Sequence, residues 1–146
     1  MQKEVNEMKL TIKSYSVNES FARVAVAAFA AQCDMTLEDL SDIKTAVSEA
    51  VTNAIVHAYA DTIGTIYITC AVTGDGLVKI KIRDRGCGIA DIGRAREPLF
   101  TTLGGERSGL GFSVMEAFTD KLTVRSAPGK GTTVTLEKRI SEKCRQ

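Results

Sequence analysis

The stretch SEAVTNAIVHAY, residues 48–59, combines polar side chains with apolar residues at helical spacing. Its alanines, valines and isoleucine recur at helical spacing, which predicts a helix with one buried side. Glu49, Asn53 and His57 recur every fourth residue, so they are expected to stack along one side of that helix. Because a carboxylate beside small apolar residues is costly without a partner, this side either serves a ligand or forms a solvated edge where Glu49 pairs with Lys44. His57 is expected to be a packing residue rather than a metal ligand.

Composition narrows the class of protein. The 146 residues are 44% hydrophobic and 25% charged, which is typical of one globular domain spanning residues 1–146. A net charge of +1 without a long basic run gives no reason to expect direct binding to nucleic acid or to a membrane. No segment approaches the roughly 18 apolar residues of a membrane helix, and the N-terminus lacks a signal peptide pattern, so a cytoplasmic protein is predicted. The cysteines lack metal or disulfide spacing and are predicted to be free thiols; they are Cys33, Cys70, Cys87 and Cys144.

Two helices are predicted in the first half of the chain. Ser16 with Glu19 three residues later is a capping-box pattern, and the helix that it starts is expected to end near Cys33. Thr36 is the expected N-cap of the second helix, which carries the opening stretch. The predicted buried side of the first helix consists of Phe21, Val24, Ala25, Ala28 and Phe29. The predicted buried stripe of the second consists of Leu40, Ile43, Val47, Ala50, Val51, Ala54 and Ile55.

Five strands and a third helix complete the prediction. Alternation over residues 8–13 indicates the first strand, and GTIYITCAV and LVKIKIRD form a hairpin around Gly74-Asp75-Gly76. KLTVRS and TTVTLEKRI form a closing antiparallel pair, after a third helix from near Ser108 to about Phe118. Strands joined by hairpins, with helices grouped between them, predict an α/β (α+β) two-layer sandwich. Its mixed, mainly antiparallel sheet is covered by helices on one face.

The long irregular stretch, residues 84–107, is the predicted place for function, since long loops in compact domains usually are functional or disordered. Asp84 ends a strand before Gly86 and Gly88, which is either a plain turn or a close approach of the backbone to a ligand. Gly109 and Gly111 flank the start of the third helix, where free amides either begin the helix or hold phosphate oxygens.

Four stretches in this order resemble the GHKL, or Bergerat, ATP-binding superfamily. They are EAVTNAIVH (49–57), DRGCGI (84–89), RSGLGF (107–112) and GTTV (131–134). Order and spacing agree over nearly the whole chain. Within the superfamily, NESFARV, SEAVTNAIVHAY, PLFTT, ERSGLGF and GKGTTV are similar to the anti-sigma F factor family of spore-forming bacteria. The resemblance implies a protein-serine kinase that sequesters a sporulation sigma factor and phosphorylates a serine on an antagonist protein.

The resemblance also implies a site for ATP or ADP with Mg²⁺. Glu49 would orient or deprotonate the attacking hydroxyl, and Asn53 would be the protein ligand of Mg²⁺. Asp84 would accept a hydrogen bond from the adenine amine, which selects against guanine because guanine has a carbonyl there. The other nucleotide-binding residues that the motifs imply are Gly86, Gly88, Arg107, Ser108, Gly109, Gly111 and Thr132.

Ser20 and Arg23 are the partner-binding residues that the resemblance implies. They lie three residues apart on one face of the first helix, and periodicity alone would make them a solvated surface. The family resemblance implies that Arg23 contacts both the sigma factor and the antagonist, and that the protein is a homodimer. The chain departs from the family pattern at Leu103-Gly104-Gly105, where a lysine and a slightly longer segment are expected.

Four other functions share part of this sequence pattern. A stress-response anti-sigma serine kinase has the same fold but is expected to be longer. An ATP-binding sequestration module with little kinase activity is also compatible with the motifs. A detached catalytic domain of a histidine kinase would need a phosphoacceptor-histidine helix pair, whereas His57, the only histidine, lies inside a nucleotide motif. An ATP-dependent clamp would need further domains.

Overall fold

A computed structural model describes residues 4–96 and 111–140. All five predicted strands are present, and a short helix at Ile92–Ala95 was not predicted. The predicted third helix corresponds to the helix Phe112–Phe118, and its predicted start at Ser108 lies outside the described residues. In chain order the elements are β1 (Glu4–Lys13), α1 (Val17–Ala30), α2 (Leu37–Asn53), a π-helical turn (Ala54–Ala58), β2 (Thr65–Thr73), β3 (Leu77–Asp84), α3 (Ile92–Ala95), α4 (Phe112–Phe118), β4 (Lys121–Ala127) and β5 (Gly131–Arg139).

The five strands form one sheet in the order β1-β2-β3-β5-β4. Each neighbouring pair is antiparallel, so the strands described here form a purely antiparallel sheet. Alternate residues of each strand face the helices, as in β3, where Val78, Ile80 and Ile82 are buried between exposed cations. The two-layer α+β sandwich is confirmed. The largest fully buried side chains in its core include Phe112, Ile43, Ile66, Ile68, Ile80 and Met115.

α2 follows the sequence prediction closely until its last residue. Thr36 is its N-cap, and the Thr36 hydroxyl oxygen accepts a 3.0 Å hydrogen bond from the Asp39 amide. The buried stripe is as predicted, apart from Leu40 and Ile55, which are only partly buried. The winding widens after Asn53, where the Tyr59 amide donates to the carbonyl of Ala54, five residues earlier. The predicted stacking with α-helical spacing therefore does not extend to His57.

The predicted capping box at the start of α1 is absent. Ser16 has helical backbone angles (φ −59°, ψ −31°) and its side chain makes no capping hydrogen bond. The Glu19 carboxylate instead accepts a 2.7 Å hydrogen bond from the Ser48 hydroxyl and lies 3.2 Å from the Arg23 Nε atom. Glu19 thus links α1 to α2. The helix ends at Ala30 rather than near Cys33.

The predicted buried side of α1 is wrong for Phe21, Val24 and Ala28, whereas Ala25 is partly buried and Phe29 packs partly buried against the core. The buried residues are Ala22, Val26, Ala27 and Ala30. Phe21 is 54% exposed and Val24 is 56% exposed. The helix carries two apolar stripes, and the stripe made mostly of alanines packs inward because small side chains let α1 approach α2 closely. We name the outward one the α1 apolar stripe; it consists of Val17, Phe21, Val24 and Ala28.

The cysteines behave only partly as predicted. Cys70 and Cys87 are free thiols, and burial raises the pKa of Cys70 to about 12. Cys33 is disulfide-bonded, so the free-thiol prediction is wrong for it, because spacing along the chain does not report proximity in the fold. Cys144 lies outside the described residues. Among the helices in the described ranges, none is long and apolar enough to cross a membrane.

Candidate functional site

Three polar residues lie side by side at one end of the sheet, on its helix-covered face. Asp84 of β3 pairs with Thr132 of β5, and Thr132 pairs with Ser126 of β4. Each one extends the inward-facing positions of its strand, where the neighbouring inward residues are apolar. Asp84 is only 7% exposed and Thr132 only 9%. We call these three residues the polar row.

Asp84 presents one carboxylate oxygen as an acceptor. Its Oδ1 atom accepts hydrogen bonds from the Gly86 amide at 2.9 Å and the Thr132 amide at 3.2 Å. Its Oδ2 atom has no hydrogen-bond partner in the part of the chain that the structure describes. Burial raises the pKa of Asp84, and these two amide donors partly oppose the rise. An accessible acceptor atom on a largely buried residue favours a ligand that brings an N–H donor.

Ser126 is a site residue that the sequence analysis missed. Its hydroxyl accepts a 2.8 Å hydrogen bond from the Ile89 amide and donates to the Gly131 carbonyl at 2.9 Å. It also lies 2.8 Å from the Thr132 hydroxyl. Ser126 therefore positions Thr132 and ties it to the loop after β3. The sequence signal for this role is that Ser126 is polar at a position that alternation with Leu122 and Val124 predicts to face inward.

The glycines after Asp84 let the loop fit between two other segments. A Cβ atom on Gly86 would lie 2.3 Å from the Ala58 carbonyl oxygen, and one on Gly88 would lie 2.0 Å from that of Ala127. Gly88 also has a positive φ of 76°, which other residues rarely adopt. The Cys87 amide donates to the Ala58 carbonyl at 3.2 Å. The loop is thus held between the π-helical turn and the β4–β5 turn.

Tyr59 anchors the same loop from the end of the opening stretch, and the sequence analysis did not single it out. Its hydroxyl donates to the Thr65 carbonyl at 2.8 Å and accepts from the Arg85 amide at 2.6 Å. Its ring occupies the space that a side chain on Gly64 would need. The stretch with Glu49 and Asn53 is therefore joined physically to the loop with Asp84.

Glu49 faces the start of α4. Gly111, with φ of 62°, precedes α4, and a Cβ atom there would lie 2.3 Å from the Glu49 Oε2 atom. The structure thus brings together two residues that were predicted to share a site. Asn53 lies one helical turn further along α2, and both its side chain and that of Glu49 are half-buried.

Some predicted site residues lie outside the described residues: Arg107, Ser108, Gly109 and the departure at Leu103-Gly104-Gly105. His57 contributes its backbone to the site, because its carbonyl accepts a 3.4 Å hydrogen bond from the Cys87 thiol. No group of three or more potential metal-binding side chains occurs within residues 4–96 and 111–140. One or two protein ligands with phosphates and water are the usual coordination of Mg²⁺, so Asn53 stays the predicted ligand.

Comparison with known proteins decides the family. Residues 16–138 match the model of the histidine kinase-like ATPase domain. The chain is 54% identical to the anti-sigma F factor of Geobacillus thermodenitrificans over 138 residues, which are 94% of each chain. It is 55% identical to the anti-sigma F factor of a Thermoanaerobacter species, over 92% of this chain and 94% of the relative. The chain belongs to the anti-sigma F factor family.

Solved structures share the fold of this chain. A structure of the RsbU and RsbW domains of a Mycobacterium tuberculosis protein is similar, with a TM-score of 0.68 and 26% identity. The match covers 97% of this chain and 34% of that one. A histidine kinase domain from Erythrobacter litoralis has a TM-score of 0.59 at 21% identity, over 86% of this chain and 60% of that one, and shows the shared fold alone.

The polar row fits the nucleotide that an ATPase domain of the anti-sigma F factor family binds. Adenine carries an amine donor, which matches the Oδ2 atom of Asp84 that has no hydrogen bond from the described residues. A guanine in the same orientation would place its carbonyl against the carboxylate and leave both acceptors unpaired. The carboxylate acceptor is therefore compatible with the adenine of ATP or ADP.

Asp84→Asn is expected to lower ATP affinity about 5- to 150-fold, which corresponds to about 1 to 3 kcal/mol for a badly paired buried group. Its stability should not fall. Because the pKa of Asp84 is raised in the folded state, the ionised carboxylate opposes folding at neutral pH, and this penalty disappears as the pH falls through the raised pKa. The neutral amide avoids the penalty. Calorimetric titration and thermal melts measure the two effects.

Asp75→Asn is the matched control, because Asp75 lies in the turn at the opposite end of β3. It should leave ATP affinity unchanged. Wild-type affinity in Asp84→Asn would show that Asp84 does not contact the adenine.

Proposed function

We propose that this chain is an ATP-dependent anti-sigma factor that sequesters a sporulation sigma factor and phosphorylates a serine on the antagonist of that sequestration. Its high similarity to anti-sigma F factors supports the class of function. The observation that carries the proposal is the joining of the polar row to the Glu49 helix through Tyr59. A nucleotide site and a candidate base are thereby parts of one rigid unit. The expected location is the cytoplasm, where a sigma factor acts.

The chemistry would be divided among few residues. Bound ATP supplies the phosphoryl group that is transferred. Glu49, beside Gly111, would orient the substrate serine and take its hydroxyl proton. Asn53 would hold Mg²⁺ together with water and phosphates, so that the negative charge is neutralised where transfer occurs. Asp84 would fix the orientation of the nucleotide.

The partner surface that we propose lies on α1. Arg23 donates to the Ser20 hydroxyl at 3.4 Å and its Nε atom lies 3.2 Å from Glu19, so its guanidinium is already oriented. Such a guanidinium can pair with a carboxylate of a partner in a bidentate manner. One arginine cannot serve the sigma factor and the antagonist at once. Arrival of the antagonist would then displace the sigma factor by competition.

The α1 apolar stripe supports a further part of the proposal, that two copies form a homodimer. Phe21 and Val24 are large, apolar and more than half exposed. Contiguous exposed apolar residues commonly mark a protein contact. A second copy that covers this stripe would place Arg23 beside the dimer contact, where a partner can reach both copies.

The direct test is incubation with γ-labelled ATP and a candidate antagonist, followed by identification of the labelled residue. Label on a serine of a sporulation antagonist, absent from its serine-to-alanine variant, is the expected result. Label only on a stress-response antagonist would favour that related kinase. If the protein bound ATP and the sigma factor but transferred no phosphate, it would be a sequestration module with little kinase activity.

A further inference from the structure

The open face of the sheet carries an excess of positive charge. Residues directly opposite each other on neighbouring strands point to the same face, so the register defines which side chains face away from the helices. The cations at these outward positions are Lys9, Lys13, Lys79, Lys81, Arg83, Lys121, Arg125 and Arg139. The acidic residues among them are Glu4, Glu7 and Glu137.

This face is far more basic than the chain as a whole. The full sequence has 19 lysines and arginines against 18 aspartates and glutamates, whereas cations outnumber acids by more than two to one on the open face. Helices α1 and α2 on the opposite side carry five acidic residues against two cations, Arg23 and Lys44. The charges of the sheet face and of these two helices are therefore opposite, which produces a directional field despite the net charge of +1.

The central strand concentrates this charge in a line. In the segment KIKIRDR, residues 79–85, every second residue is a cation: Lys79, Lys81, Arg83 and Arg85. All four side chains are exposed. At about 3.4 Å per residue, their backbone positions are about 7 Å apart. Within the described ranges none of the four forms an ion pair, so their charge is not neutralised by the protein itself.

Two of these cations are held over one aromatic ring. The guanidinium carbon of Arg83 lies 5.5 Å from the centroid of the Tyr67 ring, and that of Arg85 lies 5.2 Å from it. Such cation–π contacts order the arginine side chains. A partner carboxylate would therefore meet guanidiniums that have already lost part of their rotamer freedom, which lowers the entropy cost of pairing.

We propose that this open face binds an acidic segment of a protein, with carboxylates pairing to the cations of β3. An extended segment with an acidic residue at every second position matches the spacing of about 7 Å, because strands repeat their side chains with the same period. Threonines at Thr69, Thr133 and Thr135 flank the line of cations and can hydrogen-bond the backbone of the segment. Charge complementarity would draw the segment to this face.

A protein segment suits this face better than nucleic acid or a membrane. Single-stranded nucleic acid is usually held by aromatic rings on which bases stack, but the ring of Tyr67 is covered by two guanidiniums. A membrane surface would require large apolar side chains to insert between lipids, whereas outward positions of the central strands hold mainly threonines and cations.

This surface is separate from the proposed nucleotide and α1 sites. Asp84 and Thr132 point into the helix-covered side of the sheet, while Lys81 and Arg83 point to the opposite side. Arg23 belongs to the helical layer. The proposal therefore stands or falls independently of kinase activity.

A fluorescent peptide of alternating Glu and Ser is the probe for the test. Anisotropy titrations at low salt should show binding to the full chain that weakens as the salt concentration approaches about 0.2 M. Lys79→Glu combined with Lys81→Glu should weaken binding about tenfold or more, since like charges would then oppose each other. In NMR spectra, the peptide should shift amide resonances of β3 and β5.

The matched control combines Lys44→Glu with Lys130→Glu, which changes the net charge equally but lies outside the open face. This control should change peptide affinity by no more than about twofold, which is a change in binding free energy well under 1.4 kcal/mol. If both double variants weakened peptide binding equally, binding would depend only on the net charge of the protein, and the proposal would be overturned. Amide shifts confined to α1 or the Asp84 loop would also overturn it. An oligothymidylate of equal charge that binds the open face more tightly than the peptide would assign the face to nucleic acid instead.

Discussion

Glu49→Gln is expected to slow phosphate transfer about 10²- to 10⁴-fold while ATP still binds, because a general base typically contributes a factor of this size. Glutamine keeps the shape of the side chain beside Gly111 but cannot take the proton of the attacking serine. The rate of label transfer to the antagonist measures the chemical step. A calorimetric titration with ATP measures binding separately.

Glu38→Gln is the control for this experiment, since Glu38 is an exposed residue in the first turn of the same helix. It should transfer phosphate at the wild-type rate. A normal rate in Glu49→Gln would make Glu49 a structural residue of the α2–α4 contact. Loss of ATP affinity along with the rate would place it in nucleotide binding instead of proton transfer.

Arg23→Glu is expected to weaken binding of both the sigma factor and the antagonist by about 30-fold or more, because central interface arginines often contribute at least about 2 kcal/mol. ATP affinity should stay nearly unchanged, since Arg23 contacts Ser20 and Glu19 rather than the polar row. Thermal stability should fall only slightly, because like charges four residues apart on a helix cost a few tenths of a kcal/mol. Pull-downs with each partner, run beside an ATP titration, measure these effects.

Two further variants make the Arg23 result interpretable. Arg23→Gln removes the charge without adding repulsion to Glu19 and should lose most of the same binding. Arg96→Glu breaks a comparable surface ion pair, with Glu116 at 3.1 Å, and should leave partner binding intact. Retained binding of both partners in Arg23→Glu would remove Arg23 from the interface. Joint loss of ATP binding and stability in both Arg23 variants would mean that the residue supports the fold.

The parts of the structure that depend on a simple repeat could be predicted from the sequence. Alternation along β5 predicts that Thr132 points inward, and it does lie opposite Asp84. The buried stripe of α2 follows from its 3.6-residue period. The Asp75-Gly76 pair predicts a turn because glycine tolerates a positive φ, and Gly76 has a φ of 97°. In each case the local rule and the tertiary packing favour the same conformation.

The features that were mispredicted depend on contacts between distant segments. Glu19 could cap α1 locally, but its carboxylate contacts Ser48, 29 residues away. Phe21 and Val24 are apolar enough for a core, yet the alanine stripe packs more closely against α2. Ser126 acquires its role only because the register of β4 and β5 brings it to Thr132. No periodicity in the sequence encodes these partners.

The π-helical turn also determines which changes in chain length the protein tolerates. Ala54–Ala58 contains one more residue than an α-helical turn needs to reach its hydrogen-bond partner. Deleting Val56, whose side chain is exposed, would place the Tyr59 amide at α-helical spacing from the Ala54 carbonyl, so Tyr59 would keep its position beside the Arg85 amide. Circular dichroism and ATP titration should then show helix and ATP binding retained, as in Val56→Ala. A deletion in the regular turns of α2 before Glu49 would instead rotate Glu49 about the helix axis by about 100°.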